Sequence, residues 1–375
     1  MRGPAPLTVA ALLIGGLYLP VAAAQSLPPP TLPVEPPPER LDTLAPGAQT
    51  PGWIVEEGEA ESFDAIGTID RAITLRRAGD LAGARSLLLE IQDLVPVDLR
   101  PWYLYQRGIC EELDQHPDAA RALYEEAIRL YEAPWSRMRG PATAADARFR
   151  LALVLEDLGD TQGALDQMRG LAKLRGLNED DTITVALQQG IAEVGAGHTR
   201  RGVRRLTETL AAVDPIADAI GVTAGEHGAH AWLRAKSRYI LVETLLDEAA
   251  ALPLTGREKR VVANLTGRAE RIKAAEEQVI TLTRLSEPEW ILASLVALGD
   301  AYRDLADALQ GSTPPRRLTS AEEEIYVAEV TAKAENPRTK AWHLYDQGIQ
   351  LAERLQFESR WVAVLRARRA SIPGR

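Results

Sequence analysis

The sequence predicts an all-α protein, an α-solenoid of antiparallel helix pairs with longer helices in the C-terminal part. Three observations lead there. Hydrophobic residues make up 46% of the 375 positions, yet aromatics reach only 5% and Phe occurs three times. Ala and Leu supply most of the apolar surface, which suits closely packed helices better than strands. From about residue 60 onward, amphipathic stretches alternate with short Gly-Asp turns, and the pattern returns about every 34 residues, the signature of a stacked array.

The segments follow in chain order. Met1-Arg2 is a short positive start, and Leu7 to Leu19 is an apolar run broken only by small or mildly polar residues. Pro20, Val21 and Ala22-Ala23-Ala24 then precede Gln25. That is the layout of a secretory signal peptide with an A-x-A-like cleavage site, so residues 1–24 are expected to be a signal, with an uncleaved anchor as the alternative. A spanning helix needs ~20 apolar residues, more than this run offers, and no later segment is long and apolar enough. Gln25 stands where a lipoprotein would carry Cys. Residues 25–58 form a linker: Pro28-Pro29-Pro30, Pro33 and Pro36-Pro37-Pro38 favour an extended spacer, the alternative being a proline-rich ligand for a partner domain.

Residues 59–218 carry four repeating stretches, each with a small residue in a first helix, a turn, then an Ala and a bulky residue in a second. Near 65–98 these are Ala72, Gly79-Asp80, Ala84, Leu88, Ile91 and Pro96. Near 101–134 they are Gly108, Ala120, Tyr124, Ala127 and Pro134, with His116-Pro117-Asp118 at the turn. Near 145–178 come Leu151-Ala152, Gly159-Asp160, Ala164, Met168 and Leu171. Near 183–216, Gly190, Gly197, Gly202, Leu206 and Pro215 match, while Thr209 replaces an Ala. This order resembles the tetratricopeptide repeat, in which small residues let paired helices approach and bulky ones fill the space between repeats. The resemblance implies a tetratricopeptide-type solenoid of about four repeats.

Residues 219–370 read as a longer-helix variant. One helix spans about 229–251 and a second about 257–284; Glu287-Pro288-Glu289-Trp290 opens a third. After a loop from Gly311 to Arg317, the capping-box-like Thr319-Ser320-Ala321-Glu322-Glu323 leads into a helix containing Glu324 and Tyr326. The last helices hold Ala341 to Tyr345 and Trp361 to Leu365. The run Glu289-Trp290-Ile291-Leu292-Ala293-Ser294-Leu295-Val296-Ala297-Leu298-Gly299-Asp300-Ala301-Tyr302, then Leu305 to Leu309, is similar to one in envelope proteins linked to adventurous gliding motility in myxobacteria. Thr313-Pro314-Pro315, Leu318-Thr319 and Trp361 fit the same pattern. That resemblance implies an exported scaffold in a trans-envelope machine.

Catalytic signatures are missing: there is no G-x-S-x-G, S-x-x-K, H-E-x-x-H or Walker loop. The chain is therefore expected not to be an enzyme and to need no cofactor or metal. His227 and His230 beside Glu226 lack a third ligand nearby in sequence and read as an exposed loop. His116, His198 and His343 read as ordinary turn or surface residues. Leu252-Pro253-Leu254-Thr255-Gly256 matches a sortase signal by letter but reads as an inter-helix turn, and the Asn264-Leu265-Thr266 sequon falls inside a helix. Cys110, the single cysteine, can form no disulfide within one chain. It reads as a small buried hydrophobe, with intermolecular pairing or redox sensing as the alternative.

A net charge of −10 argues against general nucleic-acid binding, which needs a basic footprint. Two local basic groups stand out, Arg200, Arg201, Arg204 and Arg205, and Arg366, Arg368, Arg369 and Arg375. Each reads as a solvated face or helix end, with contact to an acidic partner or an anionic envelope component as the sharper alternative. In a tetratricopeptide groove the first helices supply the concave face. That assigns partner contacts to Trp102, Tyr105, Ile109, Phe149, Leu153, Leu187 and Ile191, or else packing against the neighbouring repeat. The expected function is an exported scaffold or adaptor, in the periplasm or associated with the outer membrane, whose partners are other envelope proteins. The alternatives are a periplasmic carrier or chaperone for client chains and a non-catalytic subunit of a cell-wall enzyme.

Overall fold

Asp80 and Asp160 begin helices in the same way. Each carboxylate accepts a hydrogen bond from the amide three residues on (Gly83 N, 2.8 Å; Gly163 N, 2.9 Å), satisfying one of the donors a helix start leaves unpaired. The residue before each is a left-handed glycine, Gly79 (φ 87°) or Gly159 (φ 78°), which reverses the chain without a Cβ clash. The second repeat lacks this pair. There Gln115 takes the left-handed position (φ 60°), and Pro117 opens the next helix, where its missing N–H costs no bond.

The computed structural model of the chain describes residues 64–133, 139–140, 142–174, 177–220, 228–312, 314 and 318–372. The expected signal (1–24) and linker (25–58) lie outside them. The described residues form thirteen helices and no strand. They are α1 (Ala65–Arg77), α2 (Leu81–Glu90), α3 (Arg100–Leu113), α4 (Pro117–Tyr131), α5 (Ala144–Asp157), α6 (Thr161–Leu171) and α7 (Glu179–Gly195). Then follow α8 (Thr199–Ile220), α9 (Gly228–Ala250), α10 (Glu258–Thr283), α11 (Pro288–Gln310), α12 (Ser320–Leu355) and α13 (Arg360–Ala370). None of these helices is long and apolar enough to cross a membrane. Two compact units divide at Gly221 and Val222.

In the first unit, α1 to α8 pack each on the next in chain order, and the first helices α1, α3 and α5 also touch in series. Such nearest-neighbour packing defines a solenoid: this is a tetratricopeptide-type array of four helix pairs. What sets the spacing within a pair is a small residue on the first helix opposite a bulky one on the second. A Cβ placed on Gly108 would lie 2.5 Å from the Tyr124 ring, and one on Gly190 would lie 2.6 Å from Leu206. Ala72 with Leu88, and Ala152 with Met168, hold the equivalent buried positions.

In the second unit α11 is central, packed against α9, α10, α12 and α13. The same device returns here over a longer stretch of chain, since a Cβ on Gly299 would overlap the ring of Tyr345. Thr319 and Glu322 complete the expected capping box at the start of α12, the Thr319 amide donating to the Glu322 carboxylate at 2.8 Å. Where the sequence reads separate helices for Glu324–Tyr326 and Ala341–Tyr345, the structure has one helix of 36 residues with Pro337 inside it. A proline there forfeits one backbone bond. The helix continues because Ala334, Pro337, Ala341, Tyr345, Gly348 and Ala352 are all buried along one face, a stripe at helical spacing.

Candidate interaction surfaces

The seven residues assigned to an open concave face lie in the interior instead. Trp102, Tyr105, Ile109, Phe149, Leu153, Leu187 and Ile191 are each 5% exposed or less. The reason is local packing. Helix α3 touches both α1 and α5, Trp102 lies against Gly140, and the Tyr105 ring centroid sits 5.9 Å from that of Tyr124. These side chains are packed inside the array and do not face an open groove.

Polar side chains link the first helices of successive repeats. Arg76 on α1 donates to Gln106 on α3 (2.8 Å). Arg150 on α5 grips Glu112 on α3 through Nε (3.0 Å) and Nη2 (2.6 Å), and Tyr124 Oη donates to the same carboxylate (2.8 Å). Gln188 on α7 donates to Glu156 on α5 (2.7 Å). Sequence reasoning missed this ladder, although polar residues inside apolar first-helix stretches were its visible trace.

The basic patch divides. Arg201 Nε lies 2.9 Å from the fully buried Glu193, and Arg205 reaches the same carboxylate through Nε (3.0 Å) and Nη2 (3.1 Å). Arg200 and Arg204 are exposed, Arg201 stays exposed while it pairs with Glu193, and Arg205 is half-buried. The C-terminal cluster is also used internally: Arg368 pairs with Asp300 (3.1 Å), Arg369 with Asp346, and Arg366 with Glu353 (3.8 Å). Arg375 lies outside the described residues, as do the side chains of Glu226, His227 and His230.

Elsewhere, His116 Nδ1 lies 3.2 Å from Glu111 and 3.3 Å from Asp114. Their ligand atoms all fall within 4.8 Å of one another. Arg85 already bridges both carboxylates, so a cation would have to displace a guanidinium. His343 packs edge-on against Trp342. Asn264 lies in α10 and donates to the Pro253 carbonyl (2.7 Å), tying down the Leu252–Gly256 turn.

Cys110 is buried, and burial pushes its thiol pKa up. The native protein is therefore expected to react slowly with a thiol reagent and to titrate one equivalent after denaturation. Rapid reaction of the folded protein would show the site to be open.

In the second unit, Trp290 packs against Trp232 (5.7 Å) and Tyr239 (5.4 Å), with Lys236 Nζ 5.1 Å from the Trp232 ring. A cavity of about 200 Å³ lies between α9, α10 and α11. Its Glu243 carboxyl accepts the Tyr239 hydroxyl and is pushed above the ordinary carboxylate value, first by burial, then by Asp247, against the opposing effect of Tyr239. A raised acid binds its proton more tightly in the folded state, so the stability this confers is present at low pH. It is lost as pH rises from the ordinary Glu value through the raised one. Melting curves from pH 4.5 to 7 should show Glu243→Gln gaining on the wild type as pH rises. Parallel curves would contradict this.

No family model matches the sequence, and no curated protein matches it. Among solved structures the chain is similar to a TPR repeats protein from Bacteroides fragilis, at 16% identity and a TM-score of 0.29. The similarity covers 72% of this chain and 99% of that one.

Proposed function

We propose that this chain is an exported scaffold or adaptor that holds protein partners together in a bacterial cell-envelope complex. The observation that carries the reading is a stacked array whose first pair leaves Leu89, Leu94 and Val97 50%, 57% and 66% exposed. Single exposed apolar side chains are ordinary; three large ones at one helix end and its following turn favour a contact surface. Export is supported by the order of residues 1–24, and a gliding-motility machine by the likeness of roughly residues 260–370 to envelope proteins of that process.

Size-exclusion chromatography of a gently solubilised native envelope tests this. The tagged chain is expected to elute in one discrete species far larger than a monomer, and Leu94→Asp with Val97→Asp is expected to shift it to smaller size. Elution of the wild type as a free monomer would overturn the scaffold reading. A broad smear of complexes would favour the carrier.

A further inference from the structure

The cavity in the second unit joins an apolar floor to an acidic rim. Among its lining residues Leu246, Ile272 and Leu305 are buried and form its inner part, with Ala297 and Ala301 on the α11 wall. Its polar lining is Asp247 and Asp304, both exposed, and the half-buried Glu243, Asp300 and Arg268. These charges are not balanced. The Asp300 carboxylate is satisfied, accepting the Tyr345 hydroxyl (2.7 Å) and facing Arg368 (3.1 Å) and Arg303 (3.3 Å). Arg268 donates to the carbonyls of Leu252 (2.6 Å) and Ala250 (3.1 Å), closing the end of α9, and its positive charge also acts on Asp304. Asp304 has Arg303 at 3.8 Å and Arg268 near it, which leaves the Asp247 carboxylate and Glu243, whose one side-chain partner is the neutral Tyr239 hydroxyl, as the lining acids without an ion pair among the described residues.

We propose that this cavity receives a lysine or arginine side chain from a partner protein. The inference rests on the scaffold reading and gives one of its contacts a chemistry. Its volume, about 200 Å³, is below the roughly 300–1,000 Å³ of small-molecule sites, which suits one side chain better than a cofactor. Long basic side chains have two parts, an alkyl stem that covers apolar surface and a charged head that stays polar. The floor takes the stem and the rim takes the head. Complementary charge of this kind sets partner choice and orientation more than raw affinity. The raised Glu243 carboxyl fits the same picture, because a visiting cation favours its ionised form.

The test uses the full chain and two probes of nearly equal shape, Nα-acetyl-arginine amide and Nα-acetyl-citrulline amide, titrated by ligand-observed NMR. Saturable binding of the arginine probe is expected, with the neutral citrulline probe at least about tenfold weaker. Ala301→Phe, which fills the cavity, should abolish arginine binding, and Asp304→Asn, an isosteric change on the exposed rim, should weaken it severalfold. Thermal melts confirm that each variant remains folded. No saturable binding, equal binding of the two probes, or undiminished binding to a folded Ala301→Phe protein would each overturn the proposal. An envelope complex that persists in Ala301→Phe removes this contact and leaves the scaffold reading standing. Arginine binding by a chain that elutes alone from the envelope does the reverse.

Discussion

Replacing Arg150 by leucine is expected to destabilise the first unit by about 3–5 kcal/mol, the cost of breaking a buried ion pair from one side. The Arg150 side chain is 3% exposed and holds Glu112 through two hydrogen bonds. Burial works against its charge, and Glu112, Tyr124 and Tyr105 more than offset that, so the guanidinium stays protonated. Without it the Glu112 carboxylate remains inside with the Tyr124 hydroxyl as its chief donor. Urea unfolding measures the loss. Removing Glu112 as well, in Arg150→Leu with Glu112→Leu, should recover much of it, because the stranded charge and not the missing attraction carries most of the cost. Arg150→Lys should fall between, since an ammonium cannot reproduce the two-pronged geometry. A loss under about 1 kcal/mol for Arg150→Leu would mean that the site relaxes and admits water.

Gly108→Leu is expected to cost about 1–3 kcal/mol, because the added side chain overpacks the contact with Tyr124. The expected sign runs against intrinsic propensity, on which leaving glycine in a helix interior gains up to about 1 kcal/mol. Gly170 supplies the control. It lies in α6, and an added Cβ there meets nothing within 4 Å, so Gly170→Ala should stabilise by about 0.5–1 kcal/mol. Opposite signs at two helical glycines, read from the same unfolding curves, would attribute the Gly108 effect to helix approach. Equal signs would place it in the backbone.

These two sites also mark what could be read in the sequence. Gly108 opposite Tyr124 is a local matter: both lie within one repeat, and small and bulky residues recurring at a fixed interval reveal the pair. The Gly-Asp turns were legible for the same reason, since Gly79 and Asp80 do their work within four residues. Arg150 opposite Glu112 is different. Periodicity shows which face of a helix turns inward, but not which polar group on that face finds a partner in the preceding repeat. Likewise, the sequence shows Arg201 and Arg205 as part of a basic patch but not the buried Glu193 that pairs with both. The expected concave-face aromatics fail on a related point: template positions give direction along a helix, and the approach of α1 and α5 to α3 decides exposure. Pro337 shows tertiary packing overriding a local signal, because the buried stripe on α12 outweighs the loss of one backbone bond.

The central claim is that this chain works by holding other envelope proteins. Affinity purification of the tagged full chain from its native envelope, with quantitative mass spectrometry against an untagged control, addresses it most directly. The expected result is a small, reproducible set of envelope proteins, enriched together and depleted when Leu94 and Val97 are both changed to Asp. Recovery of the chain with no envelope protein above the control would contradict it.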